Sequence, residues 1–171
     1  MSRRALPAIL LYMSEEQPMP KHVIIAADHA GFKMKNLVKN MLENEMGYAA
    51  EDVGAEEFVE DDDYPDYAAA LAKRVQETRH PGIALCGSGI GICAALNKYK
   101  GITAGVGFNL QAAESMKTDD DTNVLCLAGR LLTDDYARAI VRKWLETPFS
   151  GLERHTRRLE KIKKIEEQNF V

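Results

Sequence analysis

Three clusters combine side chains able to move protons or hold anions with small residues that let a ligand approach the backbone. They are Asp28-His29-Ala30-Gly31, Cys86-Gly87-Ser88-Gly89-Ile90-Gly91 and Gly129-Arg130, and each follows a short apolar run. Asp28 and His29 offer a carboxylate and an imidazole, both common proton-transfer groups. The glycine segment permits positive φ and close approach, so Gly87, Gly89, Ile90 and Gly91 can aim successive N–H groups at one anion. One glycine would serve a plain turn; three favour an anion cradle. A helix starting there adds its positive dipole end. The same donors lower a thiol's pKa, which makes Cys86 a candidate thiolate. Cys93 and Cys126 are expected to be structural.

These clusters need a scaffold that brings them together. Apolar strand patterns at 22–27, 49–53, 82–85, 102–106 and 123–128 alternate with helical patterns at 31–46, 65–78, 90–98, 110–116 and 133–146. The last of these helices opens on an N-cap, Thr133, with Asp134 and Asp135 in its first turn. Such alternation predicts an α/β fold: a three-layer, Rossmann-like, five-stranded parallel sheet with helices on both faces. A further charged helix is predicted over 152–168, where Leu152, His155, Leu159, Ile162 and Ile165 form a stripe able to pack on the domain. Ligands of such folds lie beyond the carboxyl ends of the strands, where the three clusters fall. His22 and His80 sit at the opposite ends and are expected to have no catalytic role.

The glycine spacing is G-x-G-x-G. It follows the third strand, no acid stands about 20 residues on for a ribose, and no Gly-Lys-Ser/Thr closes it, so neither a dinucleotide site nor a Walker loop is expected. A phosphoryl-receiver module would want clustered acids, an aspartate and a lysine after strands one, three and five. Asp28, Cys86 and Arg130 stand there instead.

The composition sets outer limits. The chain has 171 residues, 46% of them hydrophobic, with a net charge of −4 and three cysteines. This suits one core, gives no global reason for nucleic-acid binding, and points to a reducing, cytoplasmic setting. No apolar run is long enough to span a membrane. Residues 1–20, with Arg3-Arg4, an apolar stretch broken by Pro7 and a polar end, are expected to be a dispensable extension, leaving 21–171 as the domain. Residues 51–66 hold nine acids and no base, whereas Arg154, Arg157, Arg158, Lys161, Lys163 and Lys164 give the segment 152–168 a strong local positive charge. The lysines of the last helix are expected to be solvated.

Taken with Asp63-Tyr64-Pro65, Ala94-Ala95-Leu96-Asn97-Lys98, Asn123-Val124-Leu125 and Arg154-His155-Thr156-Arg157-Arg158, the three clusters resemble the motifs of type B ribose-5-phosphate isomerases, in the same order. The wider group includes galactose-6-phosphate and allose-6-phosphate isomerases. The resemblance implies an aldose–ketose isomerase of the non-oxidative pentose phosphate pathway, working through an enediolate without metal or cofactor on a small sugar phosphate. It implies Cys86 as base and the N–H groups of Gly87 to Gly91 as oxyanion donors, assisted by Ser88. Arg130, Arg154 and Arg158 would clamp the phosphate, while Asp28, His29 and His155 handle the sugar and Tyr64 lines the pocket. Arg157 falls off the Arg154–Arg158 face and is expected to be solvated. The resemblance also implies a homodimer, paired into a tetramer in some cases, with sites at the subunit interface.

One departure stands out. The family's histidine–asparagine pair before the last strand, credited with ring opening, is replaced by Asp119-Asp120. A carboxylate is intrinsically about 2.5 pKa units less basic than imidazole. The adjacent Asp121 could raise it by repulsion, or the three acids could form a surface loop. The readings left open are a six-carbon substrate and a sugar-phosphate binder of impaired activity.

Overall fold

A computed structural model describes residues 21–169; the expectation about residues 1–20 lies outside them. The strands are β1 (Lys21–Ala27), β2 (Tyr48–Asp52), β3 (Gly82–Cys86), β4 (Ala104–Val106) and β5 (Val124–Ala128). The helices are α1 (Phe32–Asn44), α2 (Tyr64–Thr78), α3 (Ile90–Leu96), α4 (Leu110–Thr118), α5 (Asp134–Glu146) and α6 (Glu153–Asn169). All strand pairs are parallel, in the order β2-β1-β3-β5-β4. The strand order reverses between β1 and β3, so the loops after those strands diverge and leave a crevice.

Side-chain alternation along the strands divides the core. Val23, Ile25, Ala27, Leu85 and Leu127 face α1, α4 and α5. Ile24, Ala26, Ala84, Cys86 and Cys126 face α2 and α3. Both faces are covered, which is why the strand sequences are almost continuously apolar. Thr133 caps α5 through its hydroxyl, which accepts from the Tyr136 N–H.

Two details differ from the sequence expectation. β4 starts at Ala104 and not Ile102, because the Ile102 N–H closes a turn onto the Tyr99 carbonyl and the Thr103 N–H goes to the Asn123 side chain. The expected stripe packs only at His155 and Leu159, for Leu152 precedes α6 and is 45% exposed. His155 is buried and Leu159 half-buried, but Ile162 and Ile165 are 47% and 60% exposed. The helix outruns the surface that could cover it. No helix among the described residues is long and apolar enough to cross a membrane.

One buried cation organises the loop between β2 and α2. Lys35 on α1 is 1% exposed; its Nζ donates to Asp52 Oδ1 at 3.0 Å and to the Ala55 carbonyl at 2.6 Å. Asp52 also accepts from the Gly54 N–H. Lys35→Met leaves Asp52 with only Lys39, 3.6 Å away, and removes the donor to the Ala55 carbonyl, so it is expected to cost about 2 kcal/mol of stability in urea denaturation. A loss below about 1 kcal/mol would show the pair to be incidental.

Candidate active site

The crevice beyond β1, β3 and β5 forms a cavity of about 360 Å³ lined by Asp28, His29, Tyr64, Cys86, Ser88 and Arg130, with Ala30, Gly87, Gly91 and Leu131. Eight of the residues expected at the site thus meet in one place. β1, β3 and β5 are neighbours in the sheet, so their carboxyl ends deliver Asp28, Cys86 and Arg130 side by side.

Cys86 is the buried last residue of β3, and its Sγ accepts the Gly89 N–H at 3.2 Å. Gly89 has φ +74° and caps α3; a β-carbon there would be strained and would press on the Leu127 carbonyl. This left-handed turn bends the amide back onto the sulfur. The Ile90 N–H meets Ser88 Oγ at 3.3 Å. Two of the N–H groups expected to hold an oxyanion therefore have partners within the loop: one on the thiol, one on the Ser88 hydroxyl. Tyr64 opens α2, and its ring lies over Gly91, where a β-carbon would come within 2.8 Å of Cζ.

Asp28 is buried. Its Oδ1 accepts the Gly31 N–H at 3.0 Å, which closes the turn into α1. Burial raises its pKa above the usual carboxylate value, although the Gly31 bond and neighbouring His29 oppose the shift. His29 is held by a residue that sequence reasoning missed. Asp62 Oδ1 accepts the His29 backbone N–H at 2.8 Å and lies 2.7 Å from its Nδ1. This contact raises the pKa of His29, against desolvation and the nearby Arg130. Burial works against the charge of Asp62, but the two His29 donors and the nearby Tyr67 hydroxyl outweigh it and hold the carboxyl below its usual range. Tyr67 is itself pushed up to about 12, by burial first and then by Asp62. The only sequence signal for Asp62 is the acidic run 60–63, which does not single it out.

On the other side of the imidazole, Arg130 Nη2 lies 3.2 Å from His29 Nε2, and its guanidinium rests against Gly87. The donor atoms of Asp28, His29 and Asp62 lie within 4.8 Å of one another, a spacing compatible with a metal ion. His29 Nδ1 and Asp62 Oδ1, however, lie only 2.7 Å apart, at hydrogen-bond distance, so a cation held by both would have to displace that contact.

The remaining expected residues form a second group. Asp119 follows α4, accepts from the Thr118 hydroxyl at 3.0 Å and lies 3.6 Å from His155 Nδ1. Asp121 pairs with Lys117, and Asp120 is exposed beside a groove along α6, so the three acids diverge. His155 is buried. Its Nδ1 lies 2.7 Å from Ser150 Oγ, and its Nε2 accepts from Arg154 Nε at 2.9 Å. Both ring nitrogens are engaged within the chain, so His155 props Arg154. Arg154 and Arg158 are exposed on α6, and Arg157 pairs with Glu153. The loop carrying Asp119 precedes β5, whereas Arg130 follows it, so the two groups sit at opposite ends of a strand roughly 17 Å long. His22 and His80 stack at 4.9 Å at the amino ends of β1 and β3, away from the cavity.

The family described as Ribose/Galactose Isomerase matches residues 23–162. A probable ribose-5-phosphate isomerase B from Mycoplasma genitalium is 36% identical over 152 residues, covering 88% of this chain and 99% of the relative. A D-erythrulose-4-phosphate isomerase from Pectobacterium atrosepticum is 32% identical over 130 residues, covering 75% and 85%. The crystal structure of ribose-5-phosphate isomerase B from Mycoplasma genitalium with bound ribulose-5-phosphate superposes with a TM-score of 0.82 at 35% identity, covering 86% of this chain and 97% of that one. A cysteine on a glycine loop, flanked by Asp-His and arginine at neighbouring strand ends, is thus set in a shared fold along nearly the whole domain, and the chain belongs to the ribose/galactose isomerase family.

Proposed function

We propose that this protein interconverts ribose 5-phosphate and ribulose 5-phosphate, and that it does so as a homodimer whose two sites each draw on both copies. The observation that carries the reading is the Cys86 thiol at the floor of the cavity, with an N–H on its sulfur and Asp28, His29, Ser88 and Arg130 around it. The Cys86 thiolate takes the C2 proton of the open-chain aldose. The electron pair moves through the forming C1–C2 double bond onto O1, and loop N–H groups with Ser88 hold the resulting enediolate. Return of the proton to C1, with transfer of the O2 proton to solvent or a neighbouring group and of a proton to O1, yields the ketose.

The dimer follows from the division of the expected residues. Asp119, Asp120, Arg154, His155 and Arg158 cannot reach the Cys86 cavity of their own chain across the length of β5. A second copy, related by a two-fold axis, can supply them. Ile90, Phe108 and Leu131, each just beyond the carboxyl end of a neighbouring strand, are 65%, 66% and 75% exposed. That apolar rim is a fitting surface for the second copy. Arg130 would then close on the phosphate with the partner's arginines, whose planar forks suit its oxygens. Three free cysteines suit a reducing, cytoplasmic setting.

A turnover panel with ribose 5-phosphate, allose 6-phosphate and galactose 6-phosphate tests the substrate. The reading expects the highest kcat/KM for ribose 5-phosphate, and no turnover of any of the three would overturn it. Asp119→His restores the imidazole that the family carries at that position. It is expected to raise turnover of ring-form ribose 5-phosphate; unchanged kinetics would remove Asp119 from the mechanism.

A further inference from the structure

We propose that His29 and Asp62 form a dyad that opens the sugar ring, with His29 as the catalytic residue and Asp62 as its positioning residue. The inference rests on the isomerase reading above and deepens it.

An imidazole, that of His29, stands in the Cys86 cavity itself, whereas Asp119 lies at the far end of β5. Asp62 Oδ1 engages His29 twice, through its backbone N–H and its ring, so both the main chain and the ring plane are set by one carboxylate. Phe58 meets the ring edge-on, with centroids 6.3 Å apart. With the proton on Nδ1 directed to Asp62, Nε2 carries the lone pair, and it faces Arg130.

The carboxylate is suited to supporting a cation. The Asp62 side chain is only 8% exposed, and its Oδ2 is buried without a hydrogen-bond partner. The Tyr67 hydroxyl lies near enough to lower the Asp62 pKa, yet no hydrogen bond reaches Oδ2. A buried carboxylate with one unspent oxygen gains most from an adjacent positive charge. Protonation of His29 at Nε2 supplies that charge. The charged or titratable groups facing the ring are Asp62, Asp28 and Arg130, two acids against one base.

The step balances on the imidazole alone. Substrate phosphate draws Arg130 away and frees Nε2. Nε2 takes the proton of the O1 hydroxyl while C1=O1 forms and the C1–O4 bond breaks. The imidazolium then gives that proton to O4. The ring becomes the open-chain aldose, and His29 returns to its starting state.

Ribulose 5-phosphate separates this step from the Cys86 chemistry, because its O5 is esterified and it stays open-chain. Exchange of its C1 proton with deuterated solvent reports enediolate formation without any ring step. In Asp62→Asn, turnover of ring-form ribose 5-phosphate is expected to fall roughly 10- to 100-fold. Exchange into ribulose 5-phosphate should stay within about threefold of wild type. The His29 NMR titration should move down towards the ordinary imidazole range. Equal losses in turnover and exchange would make Asp62 a general structural support and overturn the dyad, as would unchanged ring-form turnover. A wild-type protein that neither turns over nor exchanges would sink the isomerase reading itself, a result distinct from any difference confined to the variant.

Discussion

Cys86→Ala is expected to lower kcat for ribose 5-phosphate by about 10²- to 10⁴-fold, with KM changed far less. The size follows from the residue's position. Its sulfur ends β3 between the Asp28 and Arg130 strand ends and receives the Gly89 N–H, and it is the only thiol lining the cavity. Ser88 cannot replace it, because a hydroxyl at that point in the loop is far less acidic than a thiol and already accepts from Ile90. The phosphate and sugar contacts assigned to Arg130, Asp28 and His29 remain, so binding is largely preserved. Alanine removes only a sulfur from a packed strand end, so the fold should survive. A coupled assay with purified protein, checked by circular dichroism, measures the effect. Activity within tenfold of wild type would show that some other group moves the proton between C1 and C2.

The second large effect comes from dividing one site between two chains. Cys86→Ala and the double variant Arg154→Ala/Arg158→Ala should each be nearly inactive as homodimers. When the two are unfolded and refolded together, half of the dimers are mixed. In each mixed dimer, one site combines intact Cys86 from one copy with intact arginines from the other, and its second site carries both defects. Activity is therefore expected to return to roughly a quarter of the wild-type value, as two-fold symmetry requires. If both groups acted within one chain, mixing would restore nothing. The geometry favours rescue, because the Cys86 cavity and Arg154 lie at opposite ends of β5 and no side chain spans that distance.

Much of the fold was legible in the sequence because the sheet is covered on both faces. Runs such as Val23-Ile24-Ile25-Ala26-Ala27 have no polar face to show, and their alternation with helical patterns admits few arrangements. β4 was less legible. Ile102 has the apolar character of a strand residue, but its N–H is claimed by a turn, and whether a backbone group joins a ladder depends on neighbours distant in sequence. The stripe on α6 showed a similar ambiguity. Helical spacing states which residues share a face; whether Ile162 and Ile165 find cover depends on where the helix ends relative to the domain.

For the site, the order of residue types along the chain sets the chemistry available: a thiol on a glycine loop, an Asp-His pair and an arginine, each at the carboxyl end of a strand. Local backbone demands produce that pattern, since a strand end, a positive φ and a helix start must follow one another along the chain. Which of these groups meet depends on how the strands are ordered in the sheet. The order β2-β1-β3-β5-β4 brings Asp28, Cys86 and Arg130 together and sends Asp119, Arg154 and His155 to the far end. It also selects Asp62 from four consecutive acids, because the Lys35–Ala55 contact fastens the loop that carries it and only Asp62 turns inward to His29. Side-chain type is a property of single residues, but the partner of a carboxylate is set by three-dimensional packing.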